Sequence, residues 1–331
     1  MSVSRRSFLQ AAASVVAGAS TAGAAALAGT PRKAGEAGPL YPAEDLSRFD
    51  TPITPRPFAL RLGYAAITWA GQDEQAIDDI AAVGFHGIQL RSGVLEKYGD
   101  RPAELRRRLE DKGLALLCFS SGNSPEAAPE REAEYIRKHV ANARFVRALG
   151  GSTLQIISSR PKDRAPTPAE YEWLGRLLNA IGRLTLDIGV RVAYHNHLNG
   201  FGEAPDELAR VMDVTDRHYV DLLLDVAHYA QGGGDPVAAV VRHRDRLALL
   251  HLKDVAGAAP PPGRPQREGY QWVELGRGRI DLKGVIGALR ETRYRGPAVI
   301  ELDAVPEPGR TPRESAEINR RYAVDALGLL P

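Results

Sequence analysis

Four apolar stretches in the second half of the sequence each end on a side chain that can bind a metal ion or carry a proton. The four end residues are His195, Asp225, His251 and Glu301. Short apolar runs of this kind are typical of buried parallel β-strands. The carboxyl ends of parallel strands lie at one edge, so the four side chains can meet there. Two imidazoles and two carboxylates favour Mn²⁺, Co²⁺, Fe²⁺ or Zn²⁺ over Ca²⁺.

Each of these residues, taken alone, has a simpler explanation. A single histidine at a strand end commonly hydrogen-bonds within its loop, and Asp225 is placed to cap a helix. Their recurrence at four successive strand ends favours a metal site. We therefore predict one divalent ion, with Mn expected and Co, Fe, Zn or Mg as alternatives, bound by what we call the quartet: His195, Asp225, His251 and Glu301.

The bound ion would chelate a hydroxyl and a neighbouring carbonyl of a substrate and so lower the cost of an enediolate. Glu301 would hold the metal, take a proton from carbon, or do both in turn. His195 and His228 are the other predicted catalytic residues, and helix capping is the alternative for His228. The predicted substrate-binding residues are His197, Lys253, Gln89, Arg91 and Trp69. Pairing with Asp254 is the alternative for Lys253.

Strand and helix patterns alternate along the chain from about residue 60. Glycines stand where four helices should end, and prolines stand where three should begin, at Pro168, Pro205 and Pro236. Eight strands, each followed by a helix, predict a closed (β/α)₈ TIM barrel in a single domain. The predicted strands lie near 60–67, 86–90, 114–119, 153–157, 190–195, 220–225, 247–252 and 297–301. A proline-rich loop, Val255–Tyr270, is predicted to cover the mouth as a lid.

Composition excludes several classes of function. The chain has 331 residues, 44% of them hydrophobic, and its net charge of +2 comes from scattered charges rather than a basic stripe. Nucleic acid is therefore not an expected partner. No glycine-rich turn follows the first strand, which argues against a nucleotide site. Cys118 is the only cysteine and stands in an apolar run, so we expect a buried thiol and no intramolecular disulfide.

The first residues have the pattern of an export signal. Arg5 and Arg6 precede a mildly apolar run that is rich in alanine, and Ala26-Leu27-Ala28 offers a cleavage site. We predict a twin-arginine signal peptide over residues 1–29, a linker or strap over 30–58, and the barrel over 59–331. The protein is then periplasmic or secreted, with the twin-arginine export machinery as a partner. A membrane anchor is the alternative, but the run contains few large apolar residues, so we expect no stable anchor.

Five motifs, taken in order, resemble the xylose isomerase-like TIM-barrel superfamily, and in particular its sugar phosphate isomerase/epimerase and inosose dehydratase branches. The resemblance runs from about Leu60 to Arg321. The motifs are Tyr194-His195-Asn196-His197, Leu224-Asp225-Val226-Ala227-His228, His251-Leu252-Lys253-Asp254, Gly276-Arg277-Gly278-Arg279-Ile280-Asp281 and Ile300-Glu301.

The resemblance implies that the family's metal ligands Glu, Asp, His and Glu fall on the quartet, and that a family substrate contact falls on His228. The chain departs from the ketose epimerases at His195, where they have Glu. Those epimerases move a proton between two facing carboxylates, whereas this chain keeps only Glu301. The departure favours relatives similar to inosose dehydratase, which remove water beside a ketone.

The main hypothesis is a divalent-metal-dependent isomerase or epimerase of a sugar or polyol that abstracts a proton next to a carbonyl. The alternative is an inosose dehydratase-like enzyme or a keto-glycoside lyase or hydratase. Expected substrates are a free sugar, cyclitol or keto-glycoside. A related endonuclease-type barrel is disfavoured, because such enzymes use more metal ligands and a basic face. A periplasmic sugar-binding protein without catalysis is the non-enzyme alternative.

Overall fold

The computed structural model describes residues 59–124 and 128–330. The predicted signal peptide and linker fall on residues 1–58, outside the described residues, so these boundaries remain predictions. Within the described ranges, no helix is both long enough and apolar enough to cross a membrane.

Eight parallel strands close into a barrel, which confirms the predicted (β/α)₈ fold. Seven follow one another around the barrel, and the eighth, β10, closes it between β7 and β1. The barrel strands are β1 (Leu62–Ala65), β2 (Gly87–Arg91), β3 (Ala115–Ser124), β4 (Thr153–Ser158), β5 (Arg191–His195), β6 (Val220–Asp225), β7 (Leu247–Leu252) and β10 (Ala298–Ile300).

Helices surround the barrel. Gly84, Gly113, Gly150 and Gly189 have positive φ at the ends of helices, as predicted. Thr167 and Glu170 form a capping box before Pro168. The helices are α1 (Asp73–Val83), α2 (Leu95–Tyr98), α3 (Pro102–Asp111), α4 (Glu132–Ala148), α5 (Pro168–Leu186), α6 (Pro205–Val214), α7 (Val226–Gln231), α8 (Pro236–Arg242), α9 (Leu282–Glu291) and α10 (Pro312–Asp325).

Apolar side chains fill the barrel interior below the mouth. They form a separate buried cluster from the larger core between strands and helices. Packing is close enough that an added Cβ on Gly63 would lie 2.7 Å from Leu117 Cδ1. The barrel interior beneath the mouth is therefore a packed apolar core and not an open channel. The interior cluster consists of Ala65, Leu117, Cys118, Ala193, Leu223, Leu249 and Val299.

The predicted lid loop is partly structured. Its two ends form an antiparallel hairpin of β8 (Asp254–Gly257) and β9 (Tyr270–Val273). Asp254 fixes the hairpin, since its carboxylate accepts the backbone N–H groups of Val255, Gly276, Gly278 and Ile280. The predicted alternative of a Lys253–Asp254 pair is therefore wrong, because backbone donors surround the Asp254 carboxylate.

Candidate active site

The quartet side chains meet at the barrel mouth. One ligand atom from each residue lies within 4.8 Å of every other, and all four residues are buried. The strands bring them together directly, since Asp225 is in register with His251 and His251 with Val299, two residues before Glu301. The structure thus assembles four positions that are widely separated in the sequence.

Asp225 both caps a helix and faces the quartet. Its Oδ1 accepts the N–H groups of Ala227 and His228 at 2.8 Å, which caps α7. Its Oδ2 has no hydrogen-bond partner among the described residues. Asn196 holds the Asp225 backbone through both amide groups, at 2.9 and 3.1 Å. The capping explanation therefore holds for Oδ1, and Oδ2 is the oxygen that could bind a metal ion.

Gln89 holds two quartet residues in place. Its Nε2 donates to Glu301 Oε2 at 3.1 Å, so its Oε1 is left to accept from His251 Nε2 at 2.9 Å. His251 Nδ1 consequently faces Asp225 Oδ2 at 3.6 Å and Glu301 Oε2 at 3.4 Å. Gln89 is only 2% exposed. Its amide positions His251 and Glu301, as the hydrogen-bond partners of metal-binding histidines commonly do. A direct substrate contact by Gln89 stays a prediction.

Burial and charge oppose each other at the quartet. Burial by itself lowers the pKa of His251, but the carboxylates of Glu301 and Asp225 outweigh burial and raise the pKa to about 9. Burial would raise the pKa of Glu301, yet the charges of His251 and Lys253 hold it well below its usual range. Glu301 is therefore ionised at neutral pH.

Lys253 is fully buried among acidic side chains. Its Nζ lies 2.7 Å from Asp303 Oδ1, 3.2 Å from Glu301 Oε1 and 3.9 Å from Asp225 Oδ2. Three carboxylates around one ammonium offset the cost of burying its charge. The predicted substrate-binding lysine is thus next to the quartet, and Asp303 is its closest carboxylate.

His228 has its ring proton directed toward the site. The Leu198 N–H donates to His228 Nδ1 at 3.3 Å, which places the proton of the neutral ring on Nε2. Nε2 lies 3.4 Å from Lys253 Nζ, and because both atoms carry hydrogens this contact adds no hydrogen bond. Burial first, and then the positive potential of His197 and Lys253, holds the pKa of His228 well below its usual value.

His197 lies beside His228 and His195. Its ring centroid is 3.9 Å from that of His228 and 5.6 Å from that of His195. His197 Nδ1 is 2.6 Å from the Leu198 carbonyl, so it donates and leaves Nε2 as an acceptor. The three imidazoles form a second group with metal-ligand spacing that shares His195 with the quartet.

The hairpin covers the buried cluster with an aromatic ring. Trp272 on β9 lies 4.8 Å from the His228 ring, and Lys253 Nζ lies 4.6 Å from the Trp272 centroid. Arg267, from the same lid, forms two hydrogen bonds with the buried carboxylate of Glu203. The lid is therefore tied to the loop after β5 as well as to the site.

Two predicted substrate contacts have other surroundings. Trp69 is 2% exposed, and its Nε1 donates to Asp79 on α1 at 2.9 Å. Its ring also packs against Tyr64, and the substrate role predicted for Trp69 stays a prediction. Arg91 is exposed at the end of β2, and its role in substrate binding stays a prediction.

Two residues of the site were missed in the sequence. Asp303 lies two positions after Glu301, so strand alternation would have placed both on one side. Trp272 alternates with Tyr270 in a short β-favouring run, and the chain has only three tryptophans. Both signals were present, but Trp272 follows the segment predicted as a proline-rich lid loop, and the last strand was predicted to end at residue 301.

The donor atoms of the quartet fit a divalent cation. His195 Nδ1, Asp225 Oδ2 and His251 Nδ1 are buried and make no hydrogen bond within the described part of the chain. Unpartnered buried polar atoms are costly, and a shared ion would satisfy all of them. The quartet would hold such an ion, which would polarise a substrate carbonyl.

Comparison with known proteins relates this site to a family. A family model described as Xylose isomerase-like TIM barrel matches residues 77–322. The Rhizopine catabolism protein MocC of Rhizobium meliloti is 30% identical over 280 residues, which are 75% of this chain and 83% of that protein. An inosose dehydratase of Clostridium botulinum is 27% identical over 295 residues, 80% of this chain and 96% of that enzyme.

Solved structures agree on the fold. The crystal structure of IOLI protein, described as binding a zinc atom, superposes with a TM-score of 0.69 at 17% identity and covers 81% of this chain and 98% of that one. Residues 77–322, which the family model matches, contain the quartet together with Gln89, Lys253 and Asp303. The chain belongs to the xylose isomerase-like TIM barrel family.

Proposed function

We propose that this protein is a divalent-metal-dependent dehydratase that removes water from a cyclic keto-polyol such as an inosose. The observation that carries the proposal is the buried quartet, in which one carboxylate, Glu301, is positioned as the base. The similarity to inosose dehydratase supports water elimination better than the isomerase or epimerase that was our main hypothesis. His195 at the first ligand position agrees with water elimination. The ketose epimerases have a second facing carboxylate at this position, and this chain has none there.

In the proposed reaction, Glu301 takes the proton from the carbon next to the substrate ketone. The electron pair of the broken C–H bond forms a C=C bond, and the bond from the next carbon to its hydroxyl breaks. His228 gives its Nε2 proton to the departing hydroxyl, which leaves as water, and the proton released from Glu301 then restores the neutral His228 ring. The metal, when bound, would supply Lewis-acid polarisation of the ketone.

The surrounding residues prepare these two proton transfers. Gln89 fixes the Glu301 carboxylate, and Lys253 keeps it ionised through the 3.2 Å contact. Leu198 sets the His228 tautomer by donating to Nδ1. Trp272 shields Lys253 and His228 from solvent, which strengthens the electrostatic interactions beneath it.

Location and substrate charge are also proposed. Export by the twin-arginine route to the periplasm or beyond is predicted from Arg5 and Arg6, and supports a substrate without a phosphate group. Cell fractionation with an Arg5→Lys, Arg6→Lys double variant tests the location. Retention of the double variant in the cytoplasm is expected, whereas equal export of both proteins contradicts the signal.

The central experiment measures metal content and water loss together. Purified protein is analysed for bound Mn, Co, Fe and Zn, and incubated with inososes while mass spectrometry follows the loss of one water. Asp225→Asn removes the negative charge but keeps an Oδ1 acceptor for the cap of α7. Asp235→Asn is the matched control, because Asp235 caps α8 in the same way outside the mouth.

About one metal per chain, lost in Asp225→Asn and kept in Asp235→Asn, is expected. Absence of metal after incubation with each ion overturns the metal dependence. Metal binding with isomerised rather than dehydrated products returns the proposal to the isomerase class. Sugar binding that is unchanged in Glu301→Gln, with no turnover in either protein, supports the sugar-binding alternative.

A further inference from the structure

A cavity of about 390 Å³ lies outside the buried quartet, between the lid and the loop after β10. It shares no lining residue with the quartet, so the proposed chemistry leaves it unused. A space of this size accommodates one sugar ring with its hydroxyl groups. Its lining includes Arg267, Glu268, Tyr270, Gln271, Trp272 and Asp303.

Two aromatic rings form one wall of the cavity. Tyr270 and Trp272 are two positions apart on β9, so their side chains lie on the same side of the strand. Their ring centroids are 4.8 Å apart, and the ring planes are inclined by 61°. Both side chains are half-buried, so each keeps part of its ring accessible. Aromatic rings with polar neighbours bind the apolar faces of sugar rings while the neighbours receive the hydroxyls.

Polar groups stand around this wall. Asp303 has a side chain that is 30% exposed, and Arg267 and Glu268 contribute opposite charges. Gln271 donates to the Pro306 carbonyl at 2.9 Å, which fastens β9 to the loop after β10. The cavity therefore combines the surfaces of two inclined aromatic rings with carboxylate and guanidinium groups, a combination suited to a neutral polyhydroxy ring.

Lys253 lies between the cavity and the quartet and contacts residues of both. Asp303 and Trp272 line the cavity and also contact Lys253, at 2.7 Å and 4.6 Å respectively. Lys253 in turn contacts Glu301. A molecule that reached from the cavity to the quartet would pass this boundary, so two linked rings match the arrangement better than one.

We propose that the cavity is a second sugar subsite and that the natural substrate is a glycoside, with its keto ring at the quartet and its other ring against Tyr270 and Trp272. This inference rests on the proposed function for the inner ring only. The outer subsite requires neither a metal ion nor a ketone. It can therefore be tested separately from the reaction.

Tryptophan fluorescence gives a direct measurement of binding. Of the three tryptophans, Trp69 and Trp173 are 2% and 5% exposed, so Trp272 is the accessible one. The probes are sucrose, trehalose, methyl cellobioside and methyl maltoside, compared with methyl glucoside. None carries a ketone, so no turnover is needed. At least one disaccharide is expected to bind roughly tenfold more tightly than methyl glucoside.

Variants locate the site. Tyr270→Ala should remove the roughly tenfold preference for the disaccharide, while Tyr270→Phe, which keeps the ring, should preserve it. Trp272→Phe should abolish the fluorescence change. Thermal melting checks that each variant is folded, and calorimetry measures binding where the fluorescence signal has been removed.

Equal affinity for disaccharides and methyl glucoside, or no response to any disaccharide, overturns the subsite. A preference that survives in Tyr270→Ala also overturns it, because the outer ring would then bind elsewhere. Inosose dehydration without disaccharide preference leaves the proposed function standing and the subsite refuted. Disaccharide preference without dehydration gives the reverse result.

Discussion

The two halves of the barrel share one architecture but carry different chemistry at the mouth. The second half places the ionisable quartet at the ends of β5, β6, β7 and β10. The first half contributes buried uncharged groups to the barrel interior, Ala65, Gln89, Cys118 and Gln155. Cys118 belongs with this neutral set because burial, and then the charge of Glu301, raises the pKa of its thiol.

The difference teaches how a buried charged site is kept in one arrangement. Charges are confined to one side, where they can share a metal or an ammonium group. The neutral amide of Gln89 on the other side hydrogen-bonds to His251 and Glu301 without adding net charge, and so costs less to bury. If this division is correct, variants in the charged half should remove the reaction, whereas variants in the neutral half should only weaken it.

The largest expected effect is in the charged half. Glu301→Gln keeps the size and a hydrogen-bond acceptor but removes the proposed base. We expect kcat for water elimination to fall by roughly 10²–10⁴-fold, the range that a positioned acid or base contributes. Steady-state kinetics on the substrate found by the inosose screen measures it.

Glu317→Gln on α10 is the matched control, because Glu317 forms an exposed ion pair with Arg313. Its kinetics should equal those of the wild type. A Glu301→Gln enzyme within tenfold of the wild type would assign the base to another residue and remove the functional difference between the halves.

An intermediate effect is expected from the neutral half. Gln89→Leu removes the bonds that hold His251 and Glu301, and leaves both polar groups without those partners. We expect metal affinity to fall by about 10–100-fold, as when other supports of metal ligands are removed. Competition with a chelating dye measures the change.

Gln155→Leu is the control for this variant. Gln155 is a buried glutamine of the same half, but its amide oxygen lies 4.0 Å from Cys118 Sγ rather than next to a quartet residue. Equal losses in the two variants would show general damage to the barrel mouth and not a specific support by Gln89.

A smaller effect should have the opposite sign. Lys253→Met removes a positive charge that lies 3.2 Å from Glu301 and 3.9 Å from Asp225. Because the ammonium competes with a cation for these carboxylates, we expect divalent metal to bind about tenfold more tightly, while turnover falls. Calorimetric titration with Mn²⁺ and Zn²⁺ checks this, with Lys97→Met as the exposed, paired control. Weaker metal binding in Lys253→Met would contradict the competition.

The sequence revealed the charged half better than the neutral half. Strand patterns end directly on the quartet, so barrel topology alone brings these residues together. Gln89 is separated from Glu301 by 212 positions, and its role depends on which rotamer reaches across the mouth. No spacing rule describes such a contact. The same is true of the hydrogen bond from Trp69 to Asp79 on α1.

The fold was predictable wherever local and long-range signals agreed. Helix ends at Gly84 and Gly189 and the capping box of α5 coincide with the alternation of buried strands. The hairpin was missed because β8 and β9 have only 4 residues each and a proline-rich connection separates them. Such short strands are fixed by tertiary contacts, here the backbone bonds to Asp254, rather than by their own periodicity.

The smallest effect concerns a buried histidine outside the mouth. His139 on α4 lies in the half that supports the site, and its Nδ1 is 2.6 Å from Ser121 Oγ. Asn142 donates to the same Oγ at 2.8 Å, so the hydroxyl hydrogen is directed to a neutral imidazole. Burial, and then the charge of Lys138, lowers the pKa of His139 to about 3.

The unfolded chain binds a proton at this histidine near pH 6.5, whereas the folded chain does so only near pH 3. The free energy of unfolding should therefore fall as the pH drops from 6.5 toward 3, and His139 should contribute up to about 1.4 kcal/mol per pH unit to this fall. Above pH 6.5 the protonation of His139 should not affect stability. Urea unfolding between pH 7 and 4 measures how the free energy of unfolding depends on pH. The His139→Asn variant should flatten this dependence, whereas the control His86→Asn, at an exposed site, should leave it unchanged. Because His139 does not belong to the quartet, the flattened slope should appear with metal content unchanged. A loss of metal in His139→Asn would mean that the supporting half controls the site through its folding and not only through Gln89.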